Sequence, residues 1–503
     1  MPETTVGTVL RGQAARRGIH PMLVCDDDRL TYAEADERSG RLARGLVALG
    51  AGKGTHVGVL YPNGSAFVVA MLAAARIGAV VVPFSTFATA PELRAQLAHA
   101  DVEILLSAAS YRSHDYRQRL DGMAQTLPLL RHVLIDTAPA DSVDEALLKA
   151  LEDDVDASDL LAIVYTSGST SAPKGVVHTH ASLLEHQRAL NGVRGLTRQD
   201  RLFCNSPFFW IGGFAFAILA TLLEGATLIC SNAVDAGATL DLIEAEKPTI
   251  TNGFVAGIAH LSRHPSLPQR DLSSLRRGNL YPIMAQEVRP ADRELRHSML
   301  GMTESGSVIT ISADESDQPE HRRGSFGKPL PGFDTKIVDP DTGDAVLPGD
   351  VGELCIRGPY LMQRYYKRSR EECFDQDGWF HTGDLVRVDG DGFVYFIGRH
   401  GAMIKTAGAN VAPAEVERAI ARVTGGTVAH VVGLPDPERG QLVAAVIALD
   451  ETEFDESALR EALKSELSAY KIPRRFAAVP AAQIPVMSSG KIDIARLTEV
   501  FDD

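Results

Sequence analysis

Tyr165-Thr166-Ser167-Gly168-Ser169-Thr170-Ser171-Ala172-Pro173-Lys174-Gly175 is the stretch on which the reading of this chain turns. The apolar run Leu161–Tyr165 leads into it as a strand, and a helical pattern begins near His180. Hydroxyls and glycine at this spacing expose backbone N–H groups and side-chain donors to phosphate oxygens. Lys174 adds a positive charge. The stretch is not a Walker loop, because no Gly-Lys-Ser/Thr follows a leading glycine at the required distance. Clusters of Ser, Thr and Gly also make ordinary loops, so the rest of the chain has to decide.

Working outward, short apolar runs alternate with helical patterns. His56–Leu60 reads as a strand, Ser65–Ile77 as a helix and Ala79–Val82 as a strand. Pro91–His99 is amphipathic, and Glu103–Leu106 is again a strand. The beat recurs at Ala181–Leu190, Ala226–Cys230, Leu240–Glu246 and Thr249–Thr251. Such alternation predicts an α/β fold, doubly wound, in the large N-terminal part. After about residue 305 the texture changes to short strands, Thr335–Val338, Glu353–Ile356 and Phe393–Ile397. Pro340-Asp341-Thr342-Gly343 and Asp389-Gly390-Asp391-Gly392 are turn sequences, so a β-rich subdomain is expected. Beyond Gly398-Arg399-His400-Gly401 lies an α+β tail, with helices expected at Pro413–Val423 and Glu456–Ala469 and strands at His430–Leu434 and Val443–Leu449.

At 503 residues the chain exceeds the usual size of one hydrophobic core. A formal charge of −15 disfavours a nucleic-acid partner, because phosphate backbones are repelled. The five cysteines are scattered, and isolated thiols in a reducing compartment are expected. No signal-peptide core is present. Ala66–Ala75 and Ile211–Leu223 fall short of the roughly 18 residues of a spanning helix and read as buried helices. The chain is therefore expected in the cytoplasm without a membrane span, where the triplet Asn63-Gly64-Ser65 carries no glycan.

Other motifs follow in order. They are Gly301-Met302-Thr303-Glu304, Gly352-Glu353-Leu354, Trp379-Phe380-His381-Thr382-Gly383-Asp384, Gly398-Arg399, Ile404-Lys405, Gly408 and Ser489-Gly490-Lys491-Ile492. Together with the Tyr165–Gly175 run they resemble the adenylate-forming superfamily of acyl-CoA synthetases, nonribosomal-peptide adenylation domains and luciferases. Nearly the whole chain is covered, and the acyl-CoA ligase branch fits best. The resemblance implies an N-terminal nucleotide- and acid-binding domain over residues 1–398, a hinge at 399–401 and a mobile α+β C-terminal lid over 402–503.

It also implies the chemistry. A carboxylate attacks the α-phosphate of ATP to give an acyl-adenylate, and the thiol of coenzyme A then displaces AMP. Charge builds on phosphate and carbonyl oxygens, so placed cations and donors do most of the work. By resemblance Thr166, Ser167, Gly168, Ser169, Thr170 and Lys174 hold the phosphates. Thr303 touches the α-phosphate, and Glu304 holds Mg²⁺, which prefers oxygen ligands. Leu300, Gly301 and Met302 flank the nucleotide, Asp384 accepts the ribose hydroxyls and Arg399 adds a further contact. Lys491 is the implied adenylation catalyst, and Gly408 permits close approach of the pantetheine arm.

The acyl pocket is expected near Phe208–Phe214 and Asn252–Gly257, with Phe209, Trp210, Gly213, Phe254, Gly257 and Tyr281 against the substrate. These residues favour an apolar acid. An aromatic run is also common core, which leaves that alternative open. His178, His180 and His186 lack a nearby Glu or Cys to complete a metal site and read as structural or solvated imidazoles.

The family pattern breaks around the nucleotide. Leu300 stands where an aromatic residue usually stacks on adenine. Leu280-Tyr281-Pro282-Ile283-Met284 stands where Gly-Gly-Ala-Pro-Leu is usual, and Gly401 replaces a charged hinge residue. Losing a stacking face costs about 1 kcal/mol. These departures imply weakened ATP use, with the chain chiefly transferring a preformed acyl-adenylate made by a separate adenylating enzyme. Sequence drift with both steps intact is the rival. The chain as a whole also resembles the diterpenoid ligases of the platensimycin and platencin pathways, which implies a bulky polycyclic acid. A stand-alone adenylation enzyme loading a carrier protein in trans, and a non-catalytic binder of the acid or its adenylate, remain alternatives.

Overall fold

The computed structural model describes residues 4–166, 174–253, 255–400, 402–406, 409–436, 439–449, 454–467, 469, 471–487 and 492–502. Contacts divide the chain into two compact units, residues 1–334 with 357–378, and residues 335–356 with 379–503. The β-rich segment thus groups with the tail in this division.

Two open sheets organise the first unit. One has seven strands in the order Arg364–Tyr365, Lys174–Thr179, Leu160–Thr166, Val80–Pro83, His56–Leu60, Ile104–Ser107 and His132–Ile135. The other has six, ordered Arg277–Gly278, Ile250–Asn252, Arg201–Cys204, Thr227–Cys230, Pro21–Cys25 and Asp28–Thr31. Most neighbours are parallel, as expected of strands alternating with helices. Helix Ser65–Arg76 is buried along its length except at Ala66, and it shares one core cluster with side chains from both sheets. An apolar surface on every face explains that position. The other apolar run forms helical turns from Ile211 to Glu224, with a π-helical stretch at Phe214–Leu219. Among the described residues no helix is long and apolar enough to cross a membrane.

A buried charge closes helix Ser65–Arg76. Arg76 is 6% exposed; it bonds Glu152, which also takes Arg11, and pairs with Asp36 at 3.0 Å.

The second unit holds two sheets. Asp334–Val338, Val351–Arg357, Phe380–Val388 and Val394–Arg399 form a four-stranded sheet whose Val351–Arg357, Phe380–Val388 and Val394–Arg399 strands pair antiparallel. Asp339 and Asp389 carboxylates accept backbone N–H groups in the two turns read from the sequence. In the tail, Gly440–Ala448 lies between Ala429–Asp436 and Arg475–Val479. Helix Pro413–Val423 buries Val416, Ala419 and Ile420 at helical spacing in the tail's core.

Two expectations are corrected. Helix Glu456–Leu463 ends six residues before the predicted Ala469. The helix expected near His180 is His180–Arg194, and a strand the sequence reading did not name, Lys174–Thr179, lies between it and the phosphate stretch. All five cysteines are free, but Cys25 and Cys230 are register partners on neighbouring strands rather than isolated. Sequence spacing could not reveal a pair separated by the whole doubly wound half.

Candidate active site

In the first unit Thr166 and Lys174 are register partners of an antiparallel pair. The intervening Ser167, Gly168, Ser169 and Thr170 lie outside the described residues. The sheet therefore fixes both ends of the stretch. Gly175 is required there, because a Cβ would sit 2.6 Å from Ile163 Cγ2. Lys174 Nζ lies 5.5 Å from the centre of the Tyr365 ring, a cation–π contact.

Tyr365 joins this hairpin to the second motif. It pairs with Val176 on the sheet edge, and its hydroxyl donates to Glu304 Oε1 at 2.7 Å. Burial and the Glu304 charge push its phenol well above the usual range. Thr303 and Glu304 sit in the turn between strands Leu300–Met302 and Ser307–Ile311. Gly301 is forced by close approach, since a Cβ would meet Ser307 O at 2.2 Å. His178 Nε2 bonds Thr303 O at 2.8 Å, His186 Nε2 bonds Val308 O at 2.8 Å, and Met362 N–H donates to Glu304 O at 2.8 Å. His178, His180 and His186 are fully buried, and burial depresses each to about 4, so all three are neutral braces near pH 7. The structural reading of these imidazoles stands.

The two stretches named for the acyl pocket follow the carboxyl ends of two neighbouring parallel strands, where open α/β sheets place ligands. Cys204 and Asn252 are register partners, and a Cβ on Gly253 would lie 1.7 Å from Asn205 Oδ1. Phe209 is buried against Phe87 and Trp210, while Trp210 is half-buried. Gly213 allows its turn to touch Pro207 O. Gly257 lies in the short helix Val255–Ile258, and Phe254 is outside the described residues. Leu280 is fully buried among Leu275, Ile283 and Met284, and half-buried Tyr281 packs against the same cluster. Leu300 is 8% exposed.

Asn63, met in the sequence as a glycosylation triplet, binds this region instead. Its Oδ1 accepts the Phe208 N–H at 2.8 Å, and its Nδ2 donates to Ser206 O at 3.0 Å. Tyr365 and Asn63 carried no local motif signal, because each acts through a partner more than sixty residues away.

In the second unit Asp384 and Arg399 are register partners on adjacent strands. Asp384 is 3% exposed, and Arg399 Nη1 lies 3.2 Å from its Oδ1. Arg399 also donates to Thr382 O at 3.0 Å. Glu353 Oε1 accepts the Gly383 N–H at 2.8 Å, where Gly383 adopts φ +73°. A left-handed turn stapled at both ends aims the Asp384 carboxylate. Gly408 and Lys491 lie outside the described residues, and an antiparallel bridge between Val486 and Ile492 flanks the latter.

A profile of the AMP-binding enzyme family matches residues 10–366, and one of the AMP-binding enzyme C-terminal domain matches residues 415–491. Feruloyl-CoA synthase of an Amycolatopsis species is 33% identical over 470 residues, covering 92% of each chain. The Mycobacterium tuberculosis 3-[(3aS,4S,7aS)-7a-methyl-1,5-dioxo-octahydro-1H-inden-4-yl]propanoyl:CoA ligase is 32% identical over 503 residues, covering 96% of each. Among solved structures, the anthranilate CoA ligase AuaEII in complex with anthranoyl-AMP superposes with a TM-score of 0.84 at 24% identity, covering 99% and 98% of the two chains, a likeness of fold.

Proposed function

Because the chain belongs to the AMP-binding enzyme family, we propose that it is an acyl-CoA ligase for an apolar, ring-bearing carboxylic acid. The acid's carboxylate oxygen attacks the α-phosphorus of ATP, and pyrophosphate leaves. The thiolate of coenzyme A then attacks the acyl carbonyl, and AMP leaves. The observation that supports this reading is the Lys174–Tyr365–Glu304 connection, which brings a cation and a carboxylate to one tyrosine beside the end of the Tyr165–Gly175 stretch.

The residues present suit Mg²⁺, since Glu304 offers a hard carboxylate oxygen already oriented by Tyr365. When bound, the ion would offset the charge of the leaving pyrophosphate. Lys174 and the hairpin bind phosphate oxygens, and Thr303 contributes at the α-phosphate. Asp384 accepts the ribose hydroxyls in place of part of its Arg399 contact. Lys491 is assigned to the adenylation step and Gly408 to the pantetheine path, with residues 399–401 as the hinge between 1–398 and 402–503. The bicyclic acid in the mycobacterial relative's name supports a polycyclic substrate class here, which Trp210 and Phe209 would face.

A second reading is thioesterification of a preformed acyl-adenylate alone, suggested by Leu300 in place of a stacking aromatic. The burial of Leu280 in the core argues for two intact steps, because its bulk is taken up away from the open surface. Acid-dependent ATP–pyrophosphate exchange, run beside thioester formation from a synthetic acyl-adenylate, separates them. Exchange and thioester formation together support the two-step ligase. Thioester formation without exchange would overturn it in favour of the second reading, and neither activity across apolar and cyclic acids would overturn both.

A further inference from the structure

Glu353, Cys355 and His381 bring three different donor atoms together in the second unit. His381 Nδ1 lies 2.8 Å from Glu353 Oε2 and 3.5 Å from Cys355 Sγ. All three donor atoms fall within 4.8 Å of one another. Glu353 and Cys355 are buried, while the His381 side chain is 42% exposed. An imidazole–carboxylate hydrogen bond has no need of a thiol beside the same nitrogen.

We propose that Glu353, Cys355 and His381 form a binding site for a borderline-soft divalent cation of the zinc class, distinct from the Mg²⁺ position at Glu304. Zinc bonds of about 2.0–2.3 Å at tetrahedral angles set ligand atoms roughly 3.3–3.8 Å apart. The Cys355–His381 separation already matches, and the Glu353–His381 pair opens by about half an ångström once the shared proton gives way to a metal. Glu353 Oε2 ligates while Oε1 keeps the Gly383 N–H, the outer hydrogen bond that orients metal-bound carboxylates. Cys355 loses its proton as the sulfur–metal bond forms, and that proton passes to solvent. The exposed side of His381 leaves the fourth position to water. The donor set of one thiolate, one imidazole and one carboxylate selects zinc over magnesium, which takes oxygen ligands.

The site also touches the nucleotide machinery. His381 directly precedes the Thr382-Gly383-Asp384 turn, so occupancy ties that turn more tightly to strand Val351–Arg357.

The test is metal binding by the full chain without nucleotide, which is read independently of ligase activity. Cobalt(II) titration is expected to give a thiolate-to-metal charge-transfer band in the near ultraviolet, and Zn²⁺ is expected to abolish it by competition. C355S is expected to lose the band, whereas C373S, at the half-exposed thiol, is expected to keep it. H381A removes the imidazole ligand and is expected to weaken binding at least tenfold. No band in the wild-type protein, a band that survives in C355S, or unchanged affinity in H381A would each overturn the proposal.

Discussion

The hydroxyl of Tyr365 donates a 2.7 Å hydrogen bond to Glu304 Oε1, across sixty-one positions of sequence. Tyr365 belongs to the sheet edge beside strand Lys174–Thr179, and Glu304 to the turn of a separate hairpin. The bond fixes one carboxylate oxygen, and in the proposed reaction the other would meet Mg²⁺. A hydrogen bond to a charged group contributes about 1.5–3 kcal/mol. Tyr365→Phe keeps the ring beneath Lys174 and deletes the bond. The Mg²⁺ concentration for half-maximal ATP–pyrophosphate exchange is expected to rise about tenfold. Thioester formation from a supplied acyl-adenylate should change little, and an equal fall in both half-reactions would point to general damage.

The buried histidines set an acid limit. His178, His180 and His186 are each depressed to about 4 from an ordinary 6.5, with desolvation as the main cause. Between those values the unfolded chain binds protons that the folded one excludes. Stability is therefore full above about pH 6.5 and is lost as pH falls toward 4, each histidine adding about 1.4 kcal/mol per pH unit to the slope. The melting temperature should fall from pH 7 to pH 5. His186→Asn should be less stable at pH 7, yet flatten that fall, because one proton-binding difference is gone.

Much of this architecture is legible in the sequence, and the misses have a common cause. Strand His56–Leu60 and helix Pro413–Val423 were readable to the residue because period and boundary residues agree there. Strand Lys174–Thr179 was hidden: its register comes from Thr166, its partner on the neighbouring strand, rather than from its own alternation. Motif residues such as Glu304 and Asp384 could be named from their neighbours. Tyr365, Asn63 and the His178 brace could not, since their meaning lies in a contact made by topology.

Asp384 is buried with its carboxylate against Arg399, which is itself largely exposed. Asp384→Asn keeps the shape and removes the charge. Each charge-assisted bond to a ribose hydroxyl contributes about 1.5–3 kcal/mol, so KM for ATP is expected to rise roughly 10- to 100-fold. The melting temperature should move little, because Arg399 can turn to water. A large stability loss with unchanged KM would place Asp384 in the scaffold instead.

Stability away from the site should depend on Glu152. It is 5% exposed and answers both Arg76 and Arg11. Removing one partner of a buried ion pair costs about 3–5 kcal/mol because the other charge is stranded. Glu152→Ala should lower the unfolding free energy by that amount while KM for the acid stays the same, as read by urea unfolding and steady-state kinetics. Glu152→Gln should recover part of the loss through its remaining hydrogen bonds.

Trp210 should set the size of the acid. Phe209 is buried, with its ring against Phe87 and Trp210 at 5.9 and 5.7 Å, so it forms a fixed wall. Trp210 is half-buried at the start of the turn Ile211–Gly213, where its side chain can be truncated with modest loss of packing. A change of one methylene in an apolar pocket is worth about 1–3 kcal/mol. Replacing the indole by a methyl group removes far more volume, yet small acids lose the contact that the ring gave them. Trp210→Ala is therefore expected to shift the ratio of kcat/KM values, bulky tricyclic over single-ring acid, at least tenfold toward the bulky acid. Trp210→Phe should fall between. A uniform decline across all acids would make the ring a support for Phe209, and an unchanged ratio would remove Trp210 from the pocket.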